Sequence, residues 1–122
     1  MVSSRSMERK HLAQFLLIAA LAFVFSWFGL DKLQNPILWT GFFPLWMDGF
    51  MNVGNDVWII VVGLIEILFA ILIIIPIRRI RQLGTILIIL HLIAVLWQVG
   101  WNDTGVRDIG ILISGVALLT LL

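Results

Sequence analysis

The sequence predicts an all-α integral membrane protein, a four-helix bundle forming one domain over residues 1–122. The chain is 61% hydrophobic and only 12% charged, and its mean hydropathy is +1.11. A water-soluble domain this small cannot hide so many apolar side chains, whereas a bilayer surrounds them on every side. The apolar residues also fall into four runs near the length of about 20 residues that a membrane-crossing helix needs.

Charged residues and helix breakers separate the predicted helices, which cover about 12–30, 57–75, 83–101 and 106–122. Pro76 ends the second helix, because proline cannot continue it. The arginines that follow predict a tight turn, so the second and third helices should be antiparallel neighbours. A stripe of small residues on the fourth helix, Gly110, Ser114 and Gly115, is suited to close packing within the bundle or between copies in a homo-oligomer.

Basic residues predict the orientation of the chain in the membrane. Arg5, Arg9 and Lys10 precede the first helix, and Arg78, Arg79 and Arg81 follow the second. With an even number of crossings, the positive-inside rule places both termini in the cytoplasm of a multi-pass plasma (inner) membrane protein. The alternative, a cleaved signal peptide ending near Ala20-Leu21-Ala22, is disfavoured because the apolar run continues beyond it.

The connection between the first two helices, residues 31–56, is apolar and aromatic rather than polar. Gly41, Pro44 and Gly49 interrupt it, so it is too broken to span and should lie in the interface or re-enter the membrane. Tryptophan favours the membrane–water interface. The segment is therefore either a lid over the bundle or an interfacial anchor, and the sequence leaves both open.

Two ionisable residues stand inside apolar runs, Glu66 on the second helix and His91 on the third. At 1.5 Å per residue both lie roughly 13–15 Å deep. A charge at such depth costs about 3 kcal/mol or more unless it is paired or neutralised, so each is a candidate catalytic residue. We expect a contact between them that either exchanges protons with a ligand or simply joins two helices.

A second polar set is predicted at the outer ends of the first and fourth helices. It consists of Asp31, Lys32, Arg107 and Asp108, with the aromatic side chains of Trp39 and Trp46 beside it. These six are the candidate ligand-binding residues. The simpler interpretation treats Asp108 as a carboxylate that caps the start of the fourth helix, with the charged residues forming interfacial salt bridges.

Composition excludes several chemistries. With no cysteine and a net charge of +1, the chain can form no disulfide or thiolate metal site and shows no nucleic-acid signature. Neither a glycine-rich phosphate loop nor a zinc-binding histidine pair is present, so no metal is predicted.

Four elements carry a family resemblance. They are Trp27-Phe28-Gly29-Leu30-Asp31-Lys32-Leu33 with Asn35-Pro36 and Trp39, then Phe43-Pro44-Leu45-Trp46, Gly63-Leu64-Ile65-Glu66 and Val106-Arg107-Asp108-Ile109-Gly110. In this order they resemble the DoxX-like family of small four-helix membrane proteins, over nearly the whole chain. The family takes its name from the membrane subunit of an archaeal thiosulfate:quinone oxidoreductase. The resemblance implies recurring polar positions at Gly29, Lys32, Glu66, Arg107 and Asp108, whereas His91 rests on physical grounds alone.

The leading functional hypothesis is a quinone-interacting membrane subunit of a redox or oxidative-stress system. It would bind a quinone non-covalently and act with a partner redox subunit rather than alone. Two alternatives stay open. One is a small proton-coupled transporter, and the other is a structural or assembly subunit in which the polar groups only fix helix register.

Overall fold

The computed structural model describes residues 4–42 and 49–122, and every regular element in those ranges is helical. The four long helices are α1 Ser4–Gln34, α2 Asn55–Ile74, α3 Arg78–Val99 and α4 Asp103–Leu121. Two short 3₁₀ helices, Pro36–Phe42 and Phe50–Asn52, follow α1. Each long helix is long and apolar enough to cross a membrane. The predicted all-α architecture with four helices long and apolar enough to cross a membrane is confirmed, while Trp46 and its neighbours lie outside the described residues.

Helix α1 is longer than predicted at its start. It begins at Ser4 rather than near residue 12, an extension of about two turns. The prediction followed apolar residues only, but charged side chains are compatible with a helix that projects out of the hydrocarbon. Its other end is set by Pro36, since the residue before a proline disfavours helical backbone.

The turn between α2 and α3 differs from the prediction. Arg78, Arg79 and Arg81 were expected to form it, but they lie in the first turns of α3, and residues 75–77 make the connection. The Arg81 side chain donates from Nε to the Ile73 carbonyl at 2.9 Å and from Nη2 to the Ile74 carbonyl at 3.2 Å. The last carbonyls of a helix lack partners within it, so Arg81 closes the end of α2.

Helix α4 also begins earlier than predicted. Asn102 is its N-cap, and the Asn102 side chain accepts a hydrogen bond from the Gly105 amide at 2.9 Å. Asp108 therefore lies in the second turn and does not cap the helix, contrary to the simpler interpretation of its role. Asp108 is instead buried, with 4% of its surface exposed.

The apolar side chains divide into a thin core and a large outward surface. The core includes Leu21 and Phe25 of α1, Phe69 and Ile73 of α2, and further residues of α3 and α4. Large apolar side chains on the outside stay exposed, among them Phe23 at 69% and Leu64 at 54%. Hydrocarbon solvates such a surface at no cost, so this distribution is that of a membrane bundle.

Helices α1 and α2 pack most closely at two glycines. A Cβ added to Gly63 would lie 2.8 Å from the Gly29 carbonyl oxygen, and a Cβ added to Gly29 would lie 2.8 Å from the Gly63 carbonyl oxygen. Close backbone approach at small residues is how membrane helices gain packing energy. The small residues of α4 differ in their surroundings: Gly115 faces Ile89 of α3, whereas a Cβ added to Gly110 would have no atom of the described residues outside its own helix backbone within 4 Å.

Contacts identify the two ends of the bundle. Arg78 Nε donates to the Leu122 carbonyl at 2.7 Å, and His11 of α1 lines the same groove as Arg81. Both ends of the described chain therefore lie beside the α2–α3 turn, which we name the basic end. The opposite end, with the two 3₁₀ helices and the start of α4, is named the aromatic end.

Gly63→Ala should destabilise the fold, because the new methyl group meets backbone that no side-chain rotation can move. The expected loss is about 1–3 kcal/mol, typical of overpacking. Thermal unfolding in detergent, followed by circular dichroism, measures it. Gly110→Ala is the matched control, since its methyl group meets open space, and it should leave the melting temperature unchanged or higher. Equal melting temperatures for the two variants would contradict the close crossing.

Candidate functional site

The centre of the site is an ion pair between α1 and α2. Lys32 Nζ lies 2.5 Å from Glu66 Oε1, with only 11% of the lysine side chain and 4% of the glutamate side chain exposed. Opposite charges this close offset part of the desolvation cost that each would have if it were buried away from water alone. The pair joins a residue predicted to be deep in the membrane with one predicted to lie at its outer edge.

The geometry of antiparallel helices explains why these two residues meet. From the Gly29/Gly63 crossing, Lys32 is three residues toward the aromatic end and Glu66 three residues toward the basic end. Side chains on a helix lean toward its N-terminus. On antiparallel helices the Lys32 and Glu66 side chains therefore lean toward each other. Gly63 leaves room for the lysine stem, since a Cβ there would lie 3.0 Å from the Lys32 Cβ.

The carboxylate of Glu66 keeps unused hydrogen-bonding capacity. Lys32 Nζ, 2.5 Å from the buried Oε1, is a charge-assisted donor to this oxygen. A carboxylate offers about four acceptor positions, and one ammonium contact does not use all of them. The remaining capacity of Glu66 can accept from a further hydrogen-bond donor.

Aromatic rings surround the ammonium group of Lys32. Nζ lies 4.1 Å from the Trp39 ring centroid and 5.8 Å from that of Phe28. The two rings meet edge to face with their centroids 5.6 Å apart. Their negative faces attract the cation, and this contributes about 2 kcal/mol where water is excluded. Through Trp39, the first 3₁₀ helix therefore contacts the ion pair.

Asp31 fixes the position of Trp39. The Trp39 indole Nε1 donates to Asp31 Oδ2 at 2.8 Å, and Asn35 Nδ2 donates to Asp31 Oδ1 at 3.1 Å. Both oxygens of this carboxylate thus hold the end of α1 and the 3₁₀ helix together. We infer from these contacts that Asp31 positions the ring and does not itself belong to the charged centre.

Helix α4 adds a second cation and a third carboxylate. Arg107 donates from Nε to Asp108 Oδ1 at 3.1 Å, and its Nη2 lies 3.1 Å from the same oxygen. The Arg107 guanidinium carbon lies 4.6 Å from the Phe28 ring centroid. Phe28 is therefore shared by Lys32 and Arg107. Both Asp108 and Arg107 are near enough to Glu66 to interact with it electrostatically.

His91 occupies a separate aromatic layer. Its ring centroid is 6.1 Å from that of Phe25 and 5.5 Å from that of Phe69, both edge to face. Among the described residues no hydrogen bond joins His91 to Glu66, so the expected contact between them is not made. Lys32 still acts on His91 electrostatically. His91 is placed in the core below the ion pair.

The structure brings together six of the predicted site residues, while His91 lies in the separate ring layer and Trp46 lies outside the described residues. The six are Asp31, Lys32, Trp39, Glu66, Arg107 and Asp108. Sequence reasoning missed Phe28 and Asn35, each four residues from a predicted site residue on α1. That helical spacing was the available signal, since residues four apart share one face.

The chemistry of the site is that of paired charges under aromatic rings. Lysine and arginine can donate to a carbonyl oxygen, and the free capacity of Glu66 can accept from a hydroxyl. Among the described residues, no group of three or more histidine, aspartate or glutamate side chains is arranged to hold a metal ion. The arrangement fits an uncharged polar head group with a planar ring.

No family model, curated protein or solved structure matches this chain. The resemblance to the DoxX-like family thus remains a prediction from the residues quoted above.

Replacing one partner of the ion pair should destabilise the protein more than replacing both. Glu66→Leu leaves Lys32 buried without its counter-ion, and loss of one partner of a buried pair typically costs about 3–5 kcal/mol. Adding Lys32→Met should recover most of that loss, because no unpaired charge is then buried. Unfolding in detergent titrations measures both variants.

Asp56→Asn is the control for that comparison, because Asp56 lies exposed in the first turn of the same helix. It should change the unfolding free energy by about 0.5 kcal/mol or less. Additive effects of the Lys32 and Glu66 substitutions would show that the two side chains do not interact.

Proposed function

We propose that this protein is a quinone-interacting membrane subunit of a redox system, and that the quinone head group binds beside the Lys32–Glu66 pair. The observation that carries the proposal is a buried ion pair whose carboxylate has spare acceptor capacity, next to partly exposed aromatic rings. A quinone has a planar ring, two opposed oxygens and an apolar tail. Each part has a counterpart at this site.

The ring and the oxygens of such a head group would meet different side chains. Trp39 and Phe28 offer ring faces for stacking. Lys32 can donate to a carbonyl oxygen, and Glu66 can accept from a hydroxyl of the reduced form. Arg107, which is exposed at the rim with 41% of its side chain accessible, adds a second cation.

Access from the membrane is provided by the rim of the site. Phe28 and Trp39 are only half-buried and Arg107 is exposed, whereas Lys32 and Glu66 are buried behind them. A head group could enter past the rim while its tail stays in lipid among the exposed apolar side chains of α1 and α4. A bound quinone would supply two-electron, two-proton redox chemistry. The electrons would come from a partner subunit.

The proposed placement in the membrane follows from the two ends of the bundle. Both ends of the described chain and the arginines of α3 lie at the basic end, which we place in the cytoplasm. The Lys32–Glu66 site would then open toward the outer leaflet of the plasma membrane. This orientation supports a partner subunit that acts from the outer side.

Native mass spectrometry of protein gently extracted from its host membrane tests the proposal. Wild type should carry the mass of an isoprenoid quinone, and the Lys32→Met/Glu66→Leu variant should lose it while staying folded. Asp56→Asn should retain it. Wild type without a quinone, or a double variant with equal quinone occupancy, would refute the assignment.

A structural role is the second candidate, because the ion pair joins α1 and α2 beside their closest backbone approach. In that case the double apolar variant would assemble with its partner and keep full activity. If the pair instead acts on the quinone, Glu66→Gln in the assembled complex should abolish quinone reduction while the complex remains intact. Activity measured in the purified complex separates the two functions.

A further inference from the structure

A groove of about 440 Å³ lies at the basic end of the bundle, far from the Lys32–Glu66 site along α1. Its polar wall consists of His11, Gln14 and Arg81, and its apolar wall includes Phe15, Ile18 and Ala22. Polar and apolar side chains thus line the same cleft, and the lining farthest toward the middle of α1, at Ala22, is apolar.

The groove exists because α1 extends farther toward the basic end than α2 does. Eleven residues from the Gly29/Gly63 crossing toward the basic end, α1 has reached Ile18. At the same distance α2 has reached Ile74, its last residue. The part of α1 from Ser4 to Leu17 therefore continues beyond α2. Arg81, from the first turns of α3, lines the groove beside it, and the space that another α2 turn would fill is left open.

The length of the groove corresponds to one leaflet of a bilayer. His11 and Ala22 are eleven residues apart on a continuous helix, a distance of about 16 Å. Half of the hydrocarbon thickness is about 15 Å. A molecule with its polar group at His11 and Arg81 and an apolar chain reaching Ala22 would span one leaflet.

The charge around the groove favours an anionic head group. Arg5, Arg9 and Lys10 lie on the same projecting part of α1, and Arg78 and Arg79 adjoin Arg81. The single acidic residue in the ranges 4–17 and 75–82 is Glu8. Arg81 uses two N–H groups on the α2 carbonyls, and a guanidinium has five, so others are left for a phosphate.

We propose that this groove binds one anionic phospholipid, with its phosphate between His11 and Arg81 and one acyl chain along Phe15, Ile18 and Ala22. Basic pockets between membrane helices recognise anionic head groups by charge, and the apolar wall selects a lipid over a free anion. The site is independent of quinone binding at the other end of the bundle.

Native mass spectrometry of delipidated protein, titrated with dioleoylphosphatidylglycerol or dioleoylphosphatidylcholine, tests the proposal. The anionic lipid should bind once and more tightly than the zwitterionic lipid by about fivefold or more. Inorganic phosphate should not compete. Equal binding of the two lipids, or displacement by inorganic phosphate, would overturn the proposal.

Paired variants locate the site. Ala19 lines the groove whereas Ala20 does not, so Ala19→Phe should block the anionic lipid and Ala20→Phe should not. Arg81→Gln should weaken binding by about fivefold more than Arg79→Gln. Because Arg81 also closes the end of α2, Arg81→Gln could unfold the protein. Ala19→Phe does not touch those hydrogen bonds and therefore tests the site independently. Equal effects of Ala19→Phe and Ala20→Phe would place the lipid elsewhere.

Discussion

The ion pair between Lys32 and Glu66 is the interaction on which the aromatic end of this bundle depends. Taking two charges out of water costs several kcal/mol for each, so neither residue could be buried alone. Their contact at 2.5 Å supplies the compensation. It is reached only because Gly29 and Gly63 let the backbones of α1 and α2 approach until the two side chains converge. Trp39 then covers the lysine, and Asp31 holds Trp39 in place.

The interior of the bundle changes character along its length. At the aromatic end it is charged, and below the ion pair it becomes a layer of rings in which His91 packs against Phe25 and Phe69. Farther toward the basic end it is aliphatic, with Ile73, Ile88 and Leu118 fully buried. Arginine reappears only where α2 ends. The part of the interior between the ring layer and the arginines of the basic end is therefore stabilised mainly by apolar packing, with Thr85 donating to the Arg81 carbonyl at 2.8 Å.

The two proposed sites divide the molecule in the same way. The Lys32–Glu66 site combines opposite charges with rings, which suits a neutral planar head group. The groove at the basic end has an excess of cations over an apolar wall, which suits a phosphate carrying an acyl chain. Each site follows from how far α1 extends relative to α2: α1 reaches Trp39 at one end through Asp31 and overhangs the end of α2 at the other.

The sequence by itself determined the fold class, the four helices and most members of the charged site, because apolar run length and buried ionisable residues are local signals. Helix ends were less predictable: the capping roles of Asn102 and Arg81 depend on hydrogen bonds that composition does not reveal. Only the tertiary structure decided the partner of Glu66. The predicted depth in the membrane favoured His91 as that partner. Lys32 is the partner instead, because side chains on two antiparallel helices that cross at glycines lean toward each other.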